Sequence, residues 1–262
     1  MTVPRIASLV PSLTELLFAL GLGPHVVART GFCIHPADAV RAVAKVGGTK
    51  DVNLAKLMRL APTHVLVNVD ENRRDTVQAL RAWPAAQRPQ VIVTHPCAPE
   101  DNLALITQVA DAFADTAGVV EQAHALRAEL AAEVAATAAA RDRFTPQHVL
   151  YLIWREPWMS VARDTYIARM LDTVRWQTLP DVTGGEAGAA RYPALRGDEP
   201  WLAEVQQVLL SSEPYRFDAS HVDEAQQLCP NARVRLVDGE MLSWYGPRAA
   251  AGLHYLRALA AD

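Results

Sequence analysis

The first hundred residues alternate short apolar runs with stretches of helical period. Ile6–Val10 is almost wholly apolar and short enough for a buried strand. Ser12 then precedes Glu15 by three positions, the spacing of a capping box. This predicts a helix over Leu13–Leu20 that stops at Gly21-Leu22-Gly23. Val26–Ala28 reads as a second strand, Asn53 as the cap of a helix over Leu54–Leu60, and His64–Val69 as a third strand. A helix over Arg73–Trp83 and a fourth strand over Gln90–Thr94 complete the series. Strands interleaved with helices predict βαβ units and a parallel sheet.

From Glu100 to about Arg143 the pattern changes. The stretch is rich in alanine and leucine, has no proline, and is broken only by Gly118. It predicts two helices, the second from Val119 to about Arg141 and about 35 Å long at 1.5 Å per residue. Its alanine content is that of a strong helix former, and its length suits a strut between two lobes. Alternation resumes after Pro146. His148–Ile153, Val205–Ser211 and Val234–Val237 read as strands, and Tyr166–Val174, Ser220–Leu228 and Arg248–Ala260 as helices. The fold class is α/β, two βα lobes joined by one long helix. The boundaries fall at 1–117, 118–145 and 146–262.

Composition narrows the function. Half of the 262 residues are hydrophobic, and 25 Lys+Arg face 29 Asp+Glu, so the chain lacks the basic face of a nucleic-acid binder. No run approaches the ~18 apolar residues of a membrane span, so a soluble, monomeric protein is expected, with no nucleic-acid partner and not membrane-embedded. Met1-Thr2-Val3-Pro4-Arg5 runs straight into the first strand without the features of a secretory leader. That reads as cytoplasmic as it stands, or periplasmic if a leader has been trimmed. Cys33, Cys97 and Cys229 are too few and too scattered for a disulfide framework.

The stretch from Arg5 to Leu16 resembles the opening strand, proline turn and helix of the helical-backbone substrate-binding proteins that serve cobalamin, haem and ferric-siderophore ABC transporters. Val46-Gly47-Gly48-Thr49-Lys50 with Asn53-Leu54 is similar to that family's second signature, and Leu60 to Val67 to its helix, proline, strand step. Arg191-Tyr192-Pro193 and Gly246-Pro247-Arg248 are weaker matches, and the cobalamin-binding branch is the nearest in likeness. The resemblance implies two Rossmann-like lobes on a rigid helix with ligand held in the cleft between them. It also implies a permease partner, met by an acidic residue on each lobe. The first-lobe position is Ala55 here, and Glu199 answers to the second. A cytoplasmic relative of the same fold is therefore the alternative.

In parallel α/β lobes ligands sit at the carboxyl ends of the strands. The corresponding loops hold Phe32, Trp154, Trp158, Tyr215, Trp244 and Tyr245, flat side chains suited to a corrin, porphyrin or catecholate face. Phe32 falls where cobalamin-binding relatives carry an aromatic. Pro11, Ser12, Gly48, Thr49 and Tyr192 belong to the matched segments. Glu213, Arg216 and Arg248 are candidates for the polar edges of a ligand, and Arg155, Arg163 and Arg191 are weaker ones. Each of these residues has a bland alternative in packing or a solvated turn. Cys33 with His35, and His95 with Cys97, could ligate a transition metal, although the spacing fits no standard zinc pattern. A half-buried thiol and a hydrogen-bonded imidazole are the plainer reading.

No Gly-x-Ser-x-Gly, Walker A, Gly-x-Gly-x-x-Gly or His-Glu-x-x-His motif occurs. The expected function is reversible binding of a corrinoid of the cobalamin type, without enzymatic activity and with no cofactor required beyond the ligand, itself cobalamin or another metal chelate. A ferric siderophore, haem or a transition metal is the alternative. A tetrapyrrole-handling enzyme or chaperone is a third reading.

Overall fold

Two separate all-parallel sheets carry the chain, which is described for residues 3–262 in a computed structural model. Met1 and Thr2, at the head of the segment read for a leader, lie outside the described residues. The first sheet is built from β1 (Ile6–Ser8), β2 (Val26–Arg29), β3 (Ala44–Lys45), β4 (His64–Asn68) and β5 (Gln90–Thr94) in the order β3-β2-β1-β4-β5. Its helices are α1 (Pro11–Ala19), α2 (Leu54–Arg59) and α3 (Arg74–Arg81), followed in sequence by α4 (Asp101–Ala112) and α5 (Val119–Ala140). The second sheet holds β6 (Gln147–Leu152), β7 (Trp176–Thr178), β8 (Gln207–Ser211) and β9 (Arg233–Val237) in the order β7-β6-β8-β9. Helices α6 (Tyr166–Asp172), α7 (Val222–Leu228), α8 (Gly239–Ser243) and α9 (Arg248–Ala261) accompany it.

The chain folds into two compact units. One comprises the chain through Pro96 with Asp101–Leu130 and Tyr245–Pro247; the other comprises Cys97–Glu100, Ala131–Trp244 and Arg248–Asp262. The division at Leu130 falls inside α5, whose 22 residues extend about 33 Å. Among the described residues no helix is long and apolar enough to cross a membrane.

The central strands are apolar without alternation, because a parallel sheet is covered on both faces. Val149, Leu150, Tyr151 and Leu152 of β6 and Val208, Leu209 and Leu210 of β8 are all fully buried. Edge strand β9 instead carries Arg233 and Arg235, charges that discourage pairing with another chain.

Local chemistry explains where the elements begin. Asn53 caps α2 as its side chain predicts, accepting from Lys56 N at 2.8 Å. The capping box predicted at Ser12 does not form. Val10 is the N-cap in extended backbone, Pro11 occupies the first helical turn, and no side chain caps the helix. Proline suits that place because its missing N–H would have no helical partner. Ser12 is thereby drawn into the first turn and buried. Thr165, unremarked in the pattern, caps α6 by accepting from Ala168 N.

Each sheet has one topological switch point. In the first, the chain steps from β1 outward through β2 to β3, then returns to place β4 and β5 on the other side of β1. In the second, β6 steps to β7 on one side, and β8 and β9 follow on the other. In open parallel sheets ligands bind outside the carboxyl ends of the two strands where direction reverses. These are β1 and β4 in the first sheet and β6 and β8 in the second.

Candidate functional site

In the first unit, the loops leaving β1 and β4 are tied together by Asn72. Its Oδ1 accepts from Asn68 N at 2.9 Å, and its Nδ2 donates to Leu9 O at 3.2 Å and Thr49 O at 3.0 Å. Thr49 lies in a tight loop closed by Gly47, which has φ +103°; a Cβ there would fall 2.2 Å from Asp51 O. Gly31 N donates to Gly47 O at 2.7 Å, joining this loop to the one after β2. Phe32, next in the chain, is 63% exposed. Its ring lies against Gly48, where an added Cβ would sit 3.3 Å from Cε2. Phe32, Gly48 and Thr49 are therefore brought together, and the ring is mounted on a fixed base with its other face open.

Pro11 and Ser12 begin α1 at the same switch point. Tyr245 is buried, and its hydroxyl donates to Glu71 Oε1 at 2.8 Å. Burial first, and then the Glu71 charge, pushes its phenol well above the ordinary value. Glu71 and Asn72 were not singled out from the sequence, because their partners are remote along the chain. Their place beyond the carboxyl end of a strand was the available signal.

The Cys/His pairs are not gathered into one cluster. Cys33 and His35 follow β2 whereas His95 follows β5, and the intervening β1 and β4 set those strands about 14 Å apart. Cys33 is fully buried beside Thr30 Oγ1 at 3.1 Å, and burial raises its pKa, favouring the protonated thiol over the metal-binding thiolate. His95 Nε2 lies 3.4 Å from Asp70 Oδ2. Cys97 Sγ, in the second unit, accepts from Arg191 at 3.8 Å. Among the described residues no three His, Cys, Asp or Glu side chains converge as a metal site.

In the second unit, the loops leaving β6 and β8 are joined by Tyr215 N donating to Ile153 O. Trp154 is 42% exposed and meets the Tyr215 ring edge-on at 5.6 Å. Trp158 turns inward instead, half-buried and stacked on buried Phe217 at 5.9 Å against the core. Tyr215 Oη is 3.1 Å from His221 Nε2, and His221 Nδ1 is 3.0 Å from Asp218 Oδ1. This Tyr–His–Asp chain was not anticipated from the sequence. Its one local signal is the three-residue spacing of Asp218 and His221 at a helix start. Arg216 is exposed beside it.

Glu213 is half-buried, with Oε1 accepting from Ser243 Oγ and from Trp244 Nε1 at 2.6 Å. Burial raises its pKa, the Ser243 and Trp244 hydrogen bonds oppose the rise, and Glu240 and Asp238 add to it. Trp244 is buried, with the Arg248 guanidinium 4.9 Å above its ring. Arg248 pairs with Glu240 at 2.9 Å. Tyr192 is half-buried, and its neighbour Arg191 is 1% exposed, donating to the carbonyls of Gly185 and Asp164. Arg191 thus organises a loop rather than presenting charge outward. Arg155 and Arg163 are engaged by Glu224 and Asp181.

Each parallel sheet carries an exposed aromatic side chain on a loop beyond the carboxyl ends of its strands, Phe32 after β2 and Trp154 after β6, and one long helix lies in the chain between the sheets, an arrangement that suits a ligand-binding protein. Comparison with known proteins gives the family. The family of periplasmic binding proteins matches residues 6–190, and the chain belongs to it. Over 79 residues it is 32% identical to the vitamin B12-binding protein of Photorhabdus laumondii, a match covering 30% of this chain and 28% of that protein. Among solved structures, the periplasmic heme binding protein of Vibrio cholerae is similar with a TM-score of 0.77 and 23% identity, over 98% of this chain and 99% of that one. The periplasmic vitamin B12 binding protein of the same organism is similar with a TM-score of 0.75 and 18% identity, over 97% and 96%. The periplasmic heme-binding protein of Roseiflexus sp. RS-1 gives 0.74 and 21%, over 99% of each chain. At these identities the structural likeness is one of fold. The helical-backbone resemblance and the α/β fold read from the sequence both stand. The family comprises solute-binding proteins that are typically periplasmic, are not enzymes, and work with ABC permeases.

Proposed function

We propose that this protein reversibly binds a large, flat, metal-bearing small molecule of the tetrapyrrole kind, a corrinoid first among them, for an ABC uptake system. One observation carries the reading: an exposed aromatic ring on firm backing stands at the carboxyl-end face of each sheet. Phe32 rests on Gly48, and Trp154 on Tyr215. Leaving a large aromatic in water forgoes roughly 1.5–3 kcal/mol of burial. A flat apolar ligand recovers that energy with little loss of side-chain freedom. Pro11, Ser12, Gly48 and Thr49 shape the first face. Tyr215 and Arg216 offer polar contact on the second, with Trp158, Tyr192, Glu213, Trp244, Tyr245 and Arg248 holding the surrounding loops in place.

A hydrophilic ferric chelate is the second reading, favoured by the exposed guanidinium of Arg216. Docking on a permease cannot use an acid at Ala55, which is exposed. The Glu199 carboxylate already accepts from the backbone of Arg196 at 2.7 Å and Gly197 at 2.9 Å. A permease partner would therefore read a different arrangement of surface charge on this protein.

The test is a melting and visible-absorption screen against cyanocobalamin, cobinamide, haem, ferric siderophores and divalent metals. Stabilisation by a corrinoid or haem supports the proposal. A shift with siderophores alone moves the assignment to the second reading, a shift with zinc alone moves it to the Cys/His loops, and silence across the panel refutes it.

A further inference from the structure

The second unit holds a pocket of about 370 Å³ beside edge strand β7, at the low end of the ~300–1,000 Å³ common to small-molecule sites. It starts far from the loops that carry Trp154 and Tyr215. His148, near the amino end of β6, and Glu204, which precedes β8, form one end of it. Four residues of strand lead from His148 to Leu152 at the carboxyl end, about 13 Å at 3.3 Å per residue. The floor is fixed in place by the sheet. Gln177 pairs with His148 in the β6–β7 register, and Leu179 N continues the ladder by donating to Val149 O at 2.9 Å. Buried Leu179 and Pro180 give this floor an apolar surface, and exposed Val182 extends it.

The wall at the His148 end comes from the 3₁₀ turn Pro200–Glu204. Three residues make one turn of such a helix, so Trp201 and Glu204 stand one above the other on the same side. Buried Leu202 anchors the turn, and Trp201 is half-buried against the same core. Glu204 Oε2 lies 3.9 Å from His148 Nδ1, beyond hydrogen-bond reach. At the other end the Arg163 guanidinium is matched by Asp181 at 2.5 Å. The formal charges that line the pocket are thus one arginine against two carboxylates, and the balance is one negative charge at Glu204, beside an aromatic ring. A carboxylate next to an indole recognises an organic ammonium, by ion pairing and by attraction of the cation to the ring face. An anion would meet two carboxylates and a guanidinium that is already engaged. We infer that this pocket binds a small organic monocation with an apolar body. Its ammonium lies by Trp201 and Glu204, and its hydrocarbon part lies along Leu179, Pro180 and Val182. The site does not rest on the flat-ligand reading.

The experiment titrates the full chain with hexylamine, hexyltrimethylammonium, hexanol and hexanoate up to about 10 mM. Calorimetry reads affinity, and NMR follows the assigned Trp201 indole and Glu204 amide resonances. Glu204→Gln keeps the shape and removes the charge, Trp201→Leu removes the ring, and melting temperatures report whether each variant is folded. Both ammonium compounds should move these resonances and bind about tenfold more tightly than hexanol, with hexanoate weaker still. The Glu204 side chain is 63% exposed, so Glu204→Gln should weaken the ammonium compounds by roughly two- to fivefold and leave hexanol unchanged. Trp201→Leu should cost a similar factor, and if it fails to fold, Glu204→Gln decides alone. Equal affinity for amine and alcohol marks a plain apolar crevice and overturns the assignment. A preference for hexanoate, an ammonium preference that survives Glu204→Gln intact, or resonances that stay still with every probe overturns it too. The tetrapyrrole screen is read separately, so either result can fail without the other.

Discussion

Replacing Asn72 with alanine should be among the most damaging single changes in the first unit, although the side chain is polar and lies beyond the end of a strand. Asn72 is 6% exposed and makes three hydrogen bonds, to Asn68 N, Leu9 O and Thr49 O. Each contributes about 1 kcal/mol net, and truncation leaves buried partners unpaired, so the loss is about 3 kcal/mol. On a chain of this length that corresponds to a melting shift of roughly 6 to 12 °C. Asn72→Asp sharpens the test. It keeps an acceptor for Asn68 N and sets a carboxylate against two carbonyl oxygens, so it should be at least as destabilising as alanine at neutral pH. Urea unfolding followed by circular dichroism gives the midpoint shift at unchanged slope. Hydrogen exchange should show faster opening at β1, β4 and the Gly47–Val52 loop. A loss below about 1 kcal/mol for alanine, or an aspartate milder than alanine, would refute the view that this amide holds the two strand ends and the Thr49 loop together.

The same reasoning gives two further outcomes. Glu213 has a folded-state pKa above the ordinary 4.5, so folding favours its protonated form, and its contribution to stability declines as pH rises from that value through the folded one. Glu213→Gln keeps an oxygen for Ser243 and Trp244 without the charge. Urea midpoints from about pH 4 to pH 8 should show wild type losing ground to the variant as pH rises, and a difference that is flat or of the opposite sign would count against a partly desolvated, charge-disfavouring site. Phe32→Ala removes a side chain that is 63% exposed, so stability should move by less than about 0.5 kcal/mol. Affinity for the tetrapyrrole of the proposed function should fall by about tenfold, which titration calorimetry would read, and an unaltered affinity would take Phe32 out of the proposed contact surface.

Most of the architecture was legible in the sequence because it rests on local or periodic signals. The apolar runs of β4, β5, β6 and β8, the Asn53 cap and the break at Gly118 are each visible within a few residues. What escaped has two physical causes. Strands β3 and β7 have two and three residues, and α8 has five, too short for either period to declare itself. At α1 two start signals competed, and Pro11, needing no N–H partner, prevailed over the Ser12 hydroxyl.

The candidate site divides along a different line. The carboxyl-end rule selects loops, because a parallel sheet sets all its strand ends on one side. It could not say which side chains face outward. Phe32 and Trp154 do, while Trp158, Trp244 and Tyr245, equally aromatic and equally placed in loops, turn inward to Phe217, Glu213 and Glu71. Burial of the second group is decided by partners far away in sequence: 31 residues separate Trp244 from Glu213, and 174 separate Tyr245 from Glu71. The Tyr–His–Asp chain is the converse case, confined to the short stretch from Tyr215 to His221 and still unseen, because neither a heptad nor a strand period carries information about which imidazole nitrogen meets a hydroxyl. Residue type narrows the chemistry such loops can offer; which groups face outward follows from the backbone of each loop and from the polar partners that hold the remaining groups inside.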